Sequence, residues 1–196
     1  FKREAEAVYW GYFTSDMSVT SGDDELNMGG LSHAIVGSGI ILLIASLIAI
    51  PFGIITAIYI TEIKGKLSGL VRVMIQSMSG VPSIVAGLFV FTVLVTGRGF
   101  SAISGAVALS ILMLPTVART AEEVLKLIPE DLRTSAYALG ATQTATTFRI
   151  VLPAARAGLV TASMLGMARV AGETAPLIMT SFYSAFFSTD TSGHPL

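Results

Sequence analysis

Residues 129–153 read PEDLRTSAYALGATQTATTFRIVLP, a polar, amphipathic interruption between two long apolar segments. Pro129 can occupy the first turn of a new helix, and Glu130 and Asp131 behind it suit a helix N-terminus. Leu132, Ala136, Leu139 and Gly140 then recur near helical spacing. One side of this short helix is small and apolar, a shape that a groove on another protein can receive. On periodicity alone, a surface helix lying in a lipid interface is an equal reading. Ile150, Leu152 and Pro153 close the stretch as a sharp stop before the next apolar run.

Composition sets the surroundings. The 196 residues are 53% hydrophobic and 13% charged, with a mean hydropathy of +0.75. That is too apolar for an ordinary soluble domain and places the chain in a bilayer. A formal net charge of -1 argues for neither nucleic acid nor an acidic partner. The absence of cysteine excludes disulfides, thiolate metal sites and a cysteine nucleophile. The chain begins at Phe1, which reads as a trimmed start with no signal peptide to subtract.

Four segments are long enough to cross a hydrocarbon core, which takes about 20 apolar helical residues. They cover residues 31–60, 67–96, 101–127 and 154–180, and a break is expected in the second at Gly80 and Pro82. Lys64, Lys66, Arg72, Arg119, Lys126, Arg133, Arg149 and Arg156 fall in or beside the connections on one side, against Lys2, Arg3 and Arg98 on the other. The positive-inside rule then makes loop 129–153 cytoplasmic. The expected organisation is an extracytoplasmic segment 1–30, a transmembrane domain 31–181 and an extracytoplasmic tail 182–196 leading to a further helix.

Arg169 and Glu173 stand in an otherwise uncharged part of the fourth segment. Each such charge costs about 2.5 to 3.5 kcal/mol at a helix centre, so both should face protein or water. A continuous helix puts Ala162, Gly166, Arg169, Glu173 and Pro176 on one stripe, with small residues admitting a neighbouring helix. The two charges either pair with each other or mark a pathway.

Residues 129–153 resemble the cytoplasmic signature of ABC importer permeases, Glu-Ala-Ala, three residues, Gly, nine residues, Ile-x-Leu-Pro. Ala136, Gly140, Ile150, Leu152 and Pro153 match at the proper spacing. Thr134 and Ser135 replace the usual Glu and first Ala, which keeps the spacing and removes the carboxylate. Together with GVPSIVAGLFVF (80–91), MLPTVARTAEEVLKLIPEDLR (113–133), SAYALGAT (135–142) and ARVAGETAPL (168–177), the chain is similar to phosphate-uptake permeases, the A-type subunit in particular.

The resemblance implies an all-α, polytopic bundle of the type I ABC importer permease core in a bacterial inner membrane. It implies a coupling helix, with Thr134, Ser135, Ala136, Tyr137 and Gly140, that enters a cleft of the ATPase. The implied partners are a second homologous permease, an ATP-binding cassette ATPase dimer using ATP and Mg, an extracytoplasmic phosphate-binding protein and membrane lipid. Arg169 would bind a phosphate oxyanion through charge-assisted hydrogen bonds, with Glu173 holding it while the site is empty and repelling the anion enough to prevent trapping. Arg119 becomes a second anion contact near the inner exit, against a simple reach to lipid headgroups. Molybdate or sulfate is the alternative cargo; a transport-inactive scaffold is the alternative class.

Thr174, Ser79 and Ser83 can donate to phosphate, although such hydroxyls often bond their own helix. Gly80, Pro82 and Pro176 are hinge candidates, with static kinks the competing reading. His33 and His194 lack carboxylate companions, so no metal is assigned. Gly65-Lys66 lacks the first glycine of a P-loop and is followed by Leu67, so ATP hydrolysis is expected elsewhere. Gly37-Ser38-Gly39 lacks the third glycine of a dinucleotide loop. No hydrolase triad or H-E-x-x-H is present.

Overall fold

The computed structural model describes Phe13, residues 32–63 and residues 65–181; apart from Phe13, the expected outer segments 1–30 and 182–196 lie outside the described residues, as does His194. Helix α1 (Ser32–Ile58) continues through Pro51 into a π-helical turn, Tyr59–Ile63. Helices α2 (Lys66–Ser79) and α3 (Ser83–Val90) follow, the latter extended by a π turn Phe91–Val95 and by Thr96–Arg98. Helix α4 (Ala102–Lys126) runs through Pro115, and α5 (Glu130–Ala138) is the short helix of the polar stretch. The last long helix starts with Gln143–Thr146 and a π turn Thr147–Val151, then continues as α6 (Leu152–Ala171). A short α7 (Ala175–Thr180) follows it. No strand occurs among the described residues.

Ala34–Ile63, Ala102–Lys126 and Gln143–Ala171 are each long and apolar enough to span a membrane. The pair α2 and α3 adds a fourth such segment, bent by 101° at the expected break. Pro82 offers no N–H and disfavours helical backbone at Val81, so the chain turns there and α3 starts anew.

The fourth segment differs from expectation at both ends. Ile150, Leu152 and Pro153 do not stop a helix; they lie within one. The Leu152 N–H reaches back five residues to the Thr147 carbonyl, and this wider π turn makes room ahead of the proline ring. At the other end α6 stops at Ala171, because Gly172 is a poor helix former and Pro176 has no N–H for its carbonyl. Glu173 and Thr174 therefore sit in a break, not on the continuous stripe expected for them.

Helix α4 is the hub. Ala45 and Ala49 of α1 pack on Ala106, Leu109, Met113 and Val117 of α4 with Val170 of α6, and Ala57, Ala121, Leu125, Ala155 and Ala162 form a second cluster between the same helices. Glycines permit the close approach: a Cβ on Gly166 would lie 2.5 Å from Val117 Cγ2, and one on Gly158 2.4 Å from Val124 Cγ1. Helix α7 folds against α3, where a Cβ on Gly87 would stand 2.8 Å from the Pro176 Cα. Leu43, Leu47, Phe52 and Ile55 of α1 stay exposed, an apolar surface suited to lipid or to another membrane protein.

Candidate functional site

Two groups of polar residues stand out against this apolar frame. The first lies part-way along the α4 and α6 pair. Ala162 and Gly166 are buried against α4, which holds the two helices close, and the exposed Arg169 reaches across the seam. Its Nη1 donates to Thr116 Oγ1 at 3.0 Å. Thr116 is ten residues from the Lys126 end of α4, so the guanidinium sits about 15 Å along the helix from that end at 1.5 Å per residue. Arg119 is three residues from Thr116, on the same side of α4, and is exposed. Neither Arg119 nor Arg169 forms an ion pair among the described residues.

The expected alternative of an Arg169 and Glu173 pair is not what forms. The break after Ala171 carries Glu173 off the helix, half-buried, and a neutral hydroxyl takes its place as the arginine's partner. Thr174 is exposed beside it, and Pro176 is buried against α3. Ser79 Oγ donates to the Ile75 carbonyl of its own helix. Ser83 begins α3 beyond Pro82.

The second group gathers at the Lys126 end. Glu122 of α4 is buried, and its Oε1 accepts from Arg72 Nη2 of α2 at 2.9 Å and from Lys126 Nζ at 2.6 Å. One turn of the chain away, Arg133 of α5 donates to Glu62 Oε1 at 3.0 Å, to the Leu125 carbonyl at 3.0 Å and to the Ile128 carbonyl at 2.8 Å. The Leu125 carbonyl lies in the last turn of α4 and Ile128 just beyond its cap, where a cation also complements the helix dipole. Gln143, at the start of the last long helix, donates to the Glu62 backbone carbonyl. Glu62, Arg72, Lys126, Arg133 and Gln143 border an open cleft of about 850 Å³.

Ala136 is buried and Arg133 turns to the cleft, which Tyr137 one turn on also borders, while Leu132 and the capping residue Leu139 stay exposed. Of the small, apolar side expected from Leu132, Ala136, Leu139 and Gly140, only Ala136 is buried and the other three are exposed. Thr134 and Ser135 are exposed, and Thr134 Oγ1 donates to the Glu130 and Asp131 carbonyls of its own helix. Gly140 has φ +84; its N–H meets the Tyr137 carbonyl and the Ala141 N–H meets the Ala136 carbonyl. This is a Schellman ending, which explains why glycine stands at that position. Ile150, Leu152 and Pro153 are on the separate, last long helix.

Reading the sequence did not find Glu62, Arg72, Glu122, Gln143 or Thr116. Only the Glu122 and Lys126 spacing of four carried a local signal.

A bundle with an apolar exterior, a broken helix pair and cations held partway through it is a membrane permease in architecture. The family follows from comparison. Residues 49–192 match the family of binding-protein-dependent transport system inner membrane components, and the chain belongs to it. It is 39% identical over 200 residues to the phosphate transport system permease protein PstA of Yersinia pestis, covering 93% of this chain and 68% of that one. It is 42% identical over 165 residues to PstA 1 of Mycobacterium tuberculosis (strain CDC 1551 / Oshkosh), covering 83% of this chain and 54% of that one. Among solved structures, the inward-facing MetNI methionine ABC transporter superposes with a TM-score of 0.64 at 21% identity, over 78% of this chain and 73% of that one. The fold is the all-α permease core of a type I ABC importer, as expected from the sequence.

Proposed function

We propose that this chain is the A-type translocation subunit of an ATP-driven phosphate importer. The observation that carries the site is the Arg169 guanidinium, exposed partway along an apolar bundle and tethered by a neutral hydroxyl instead of a carboxylate. The phosphate permeases it resembles over most of its length support the choice of cargo.

A phosphate that leaves water needs its lost hydration replaced, and a planar guanidinium offers a charge with paired donors. Thr116 occupies one N–H of Arg169 and leaves the remaining donors for the anion. Arg119, about 4.5 Å further along α4 at 1.5 Å per residue, provides the next contact toward the Lys126 end. Glu173 and Thr174 form the neighbouring edge, where the carboxylate repels the anion and keeps it from being trapped. Gly80, Pro82 and Pro176 are the positions at which the broken helices would pivot.

In the assembly, the pore is shared with a second homologous permease, and an extracytoplasmic phosphate-binding protein delivers the anion. The α5 end faces the cytoplasm of a bacterial cell. There Tyr137 and Leu139 would enter the ATPase dimer, which uses ATP and Mg; α5 and the following helix, with Ile150, Leu152 and Pro153, receive its movement. Closure of the ATPases then switches access as a rigid-body rearrangement. Competition during uptake by the assembled transporter tests the cargo: excess molybdate or sulfate should leave phosphate uptake unchanged, and equal competition by either would overturn the assignment to phosphate.

A further inference from the structure

We infer that Arg133, Glu62 and Gln143 form a clasp that carries movement of α5 into the membrane helices. The inference rests on the reading of α5 as the ATPase contact, and names the parts that make such a contact productive.

A helix on a surface transmits force only through what ties it down. Leu139 at the end of α5 makes no such tie, since it is 89% exposed. Arg133 does. Its guanidinium holds the end of α1 through the Glu62 carboxylate, the end of α4 through the Leu125 carbonyl and the chain just beyond α4 through the Ile128 carbonyl. Gln143 attaches the start of the last long helix to the same Glu62 residue through its backbone carbonyl. One arginine and one glutamate thereby connect α5 with three spanning helices.

Burial makes this connection stiff. The Glu62 side chain is 6% exposed and that of Arg133 17% exposed, so water competes poorly for the pair. The contrast is with Glu122, whose ion-pair partners Arg72 and Lys126 are about half exposed and lie on α2 and α4. Glu62 also lies within the π turn that ends α1, a geometry that redirects side chains relative to a regular helix. Pulling α5 without moving α1 and α4 would strip the buried Glu62 carboxylate and the Ile128 carbonyl of their Arg133 donor, so the elements move together.

The test uses the full-length protein assembled with its partner permease, ATPase and phosphate-binding protein in proteoliposomes. Retained ATPase, ATP hydrolysis and phosphate moved per ATP are measured together. Glu62→Gln should retain the ATPase and its hydrolysis while phosphate moved per ATP falls about tenfold. Arg133→Lys keeps the charge but loses the fork, and should show the same split. The double variant should lose no more than the worse single variant, as expected for one shared interaction. Unchanged phosphate per ATP in both single variants overturns the clasp, and so does loss of the ATPase from the complex, which would make these residues part of the docking site. Leu139→Asp separates the underlying reading: it should release the ATPase, and full retention with full transport would remove α5 as the contact whatever the clasp variants do.

Discussion

Arg169 of α6 and Thr116 of α4 are joined by a 3.0 Å hydrogen bond across the seam of the two helices. The hydroxyl orients the guanidinium without neutralising it, and that distinguishes Arg169 from Arg72 and Arg133, which are both spent on buried glutamates. Thr116→Val keeps the shape and removes the acceptor. We expect the KM for phosphate uptake to rise about threefold with little change in maximal rate, the scale of one modest hydrogen bond. Thr116→Ser should restore it. A normal KM in Thr116→Val, or a fall in maximal rate alone, would contradict the tether.

The glycines of α6 set how closely it approaches α4. In Gly166→Val, the Cβ would fall 2.5 Å from Val117 Cγ2 and 3.3 Å from Met113 Cε, both on a well-packed helix. Overpacking of this kind costs about 1 to 3 kcal/mol. Thermal unfolding of the purified assembly should show it as a lowered midpoint, partly recovered by adding Val117→Ala. An unchanged midpoint would show that the seam is not tightly packed there.

Gly140 tests backbone conformation alone, because nothing lies within 4 Å of a Cβ built on it while its φ is +84. Gly140→Ala should cost about 1 kcal/mol by forcing a side chain into left-handed backbone, and Gly140→Asn less. Faster hydrogen exchange at the end of α5 is the expected readout. Exchange identical to wild type would mean that the Schellman ending contributes nothing to holding α5.

Much of this architecture is legible in the sequence because it is local. Apolar runs longer than a bilayer is thick locate the spanning helices, Gly80 and Pro82 announce the bend, and Pro129 with Glu130 and Asp131 marks the start of the short helix. Proline misled where the backbone had a way around it: the π turn before Pro153 keeps a helix going that the residue pattern suggested had stopped. The break at residues 172–174 was hidden by small and apolar residues that continue a helical pattern on either side. Long-range polar pairs were the least readable. Arg133 meets Glu62 and Arg169 meets Thr116 across 71 and 53 positions of the chain, and no periodicity links residues so far apart.

The most direct measurement of the central claim is ATP-dependent uptake of radiolabelled phosphate by the complete transporter carrying Arg169→Gln. The comparison must be made at equal ATPase assembly and equal binding-protein supply. Our account predicts that uptake falls to background while the complex still assembles and hydrolyses ATP. Undiminished uptake would contradict it.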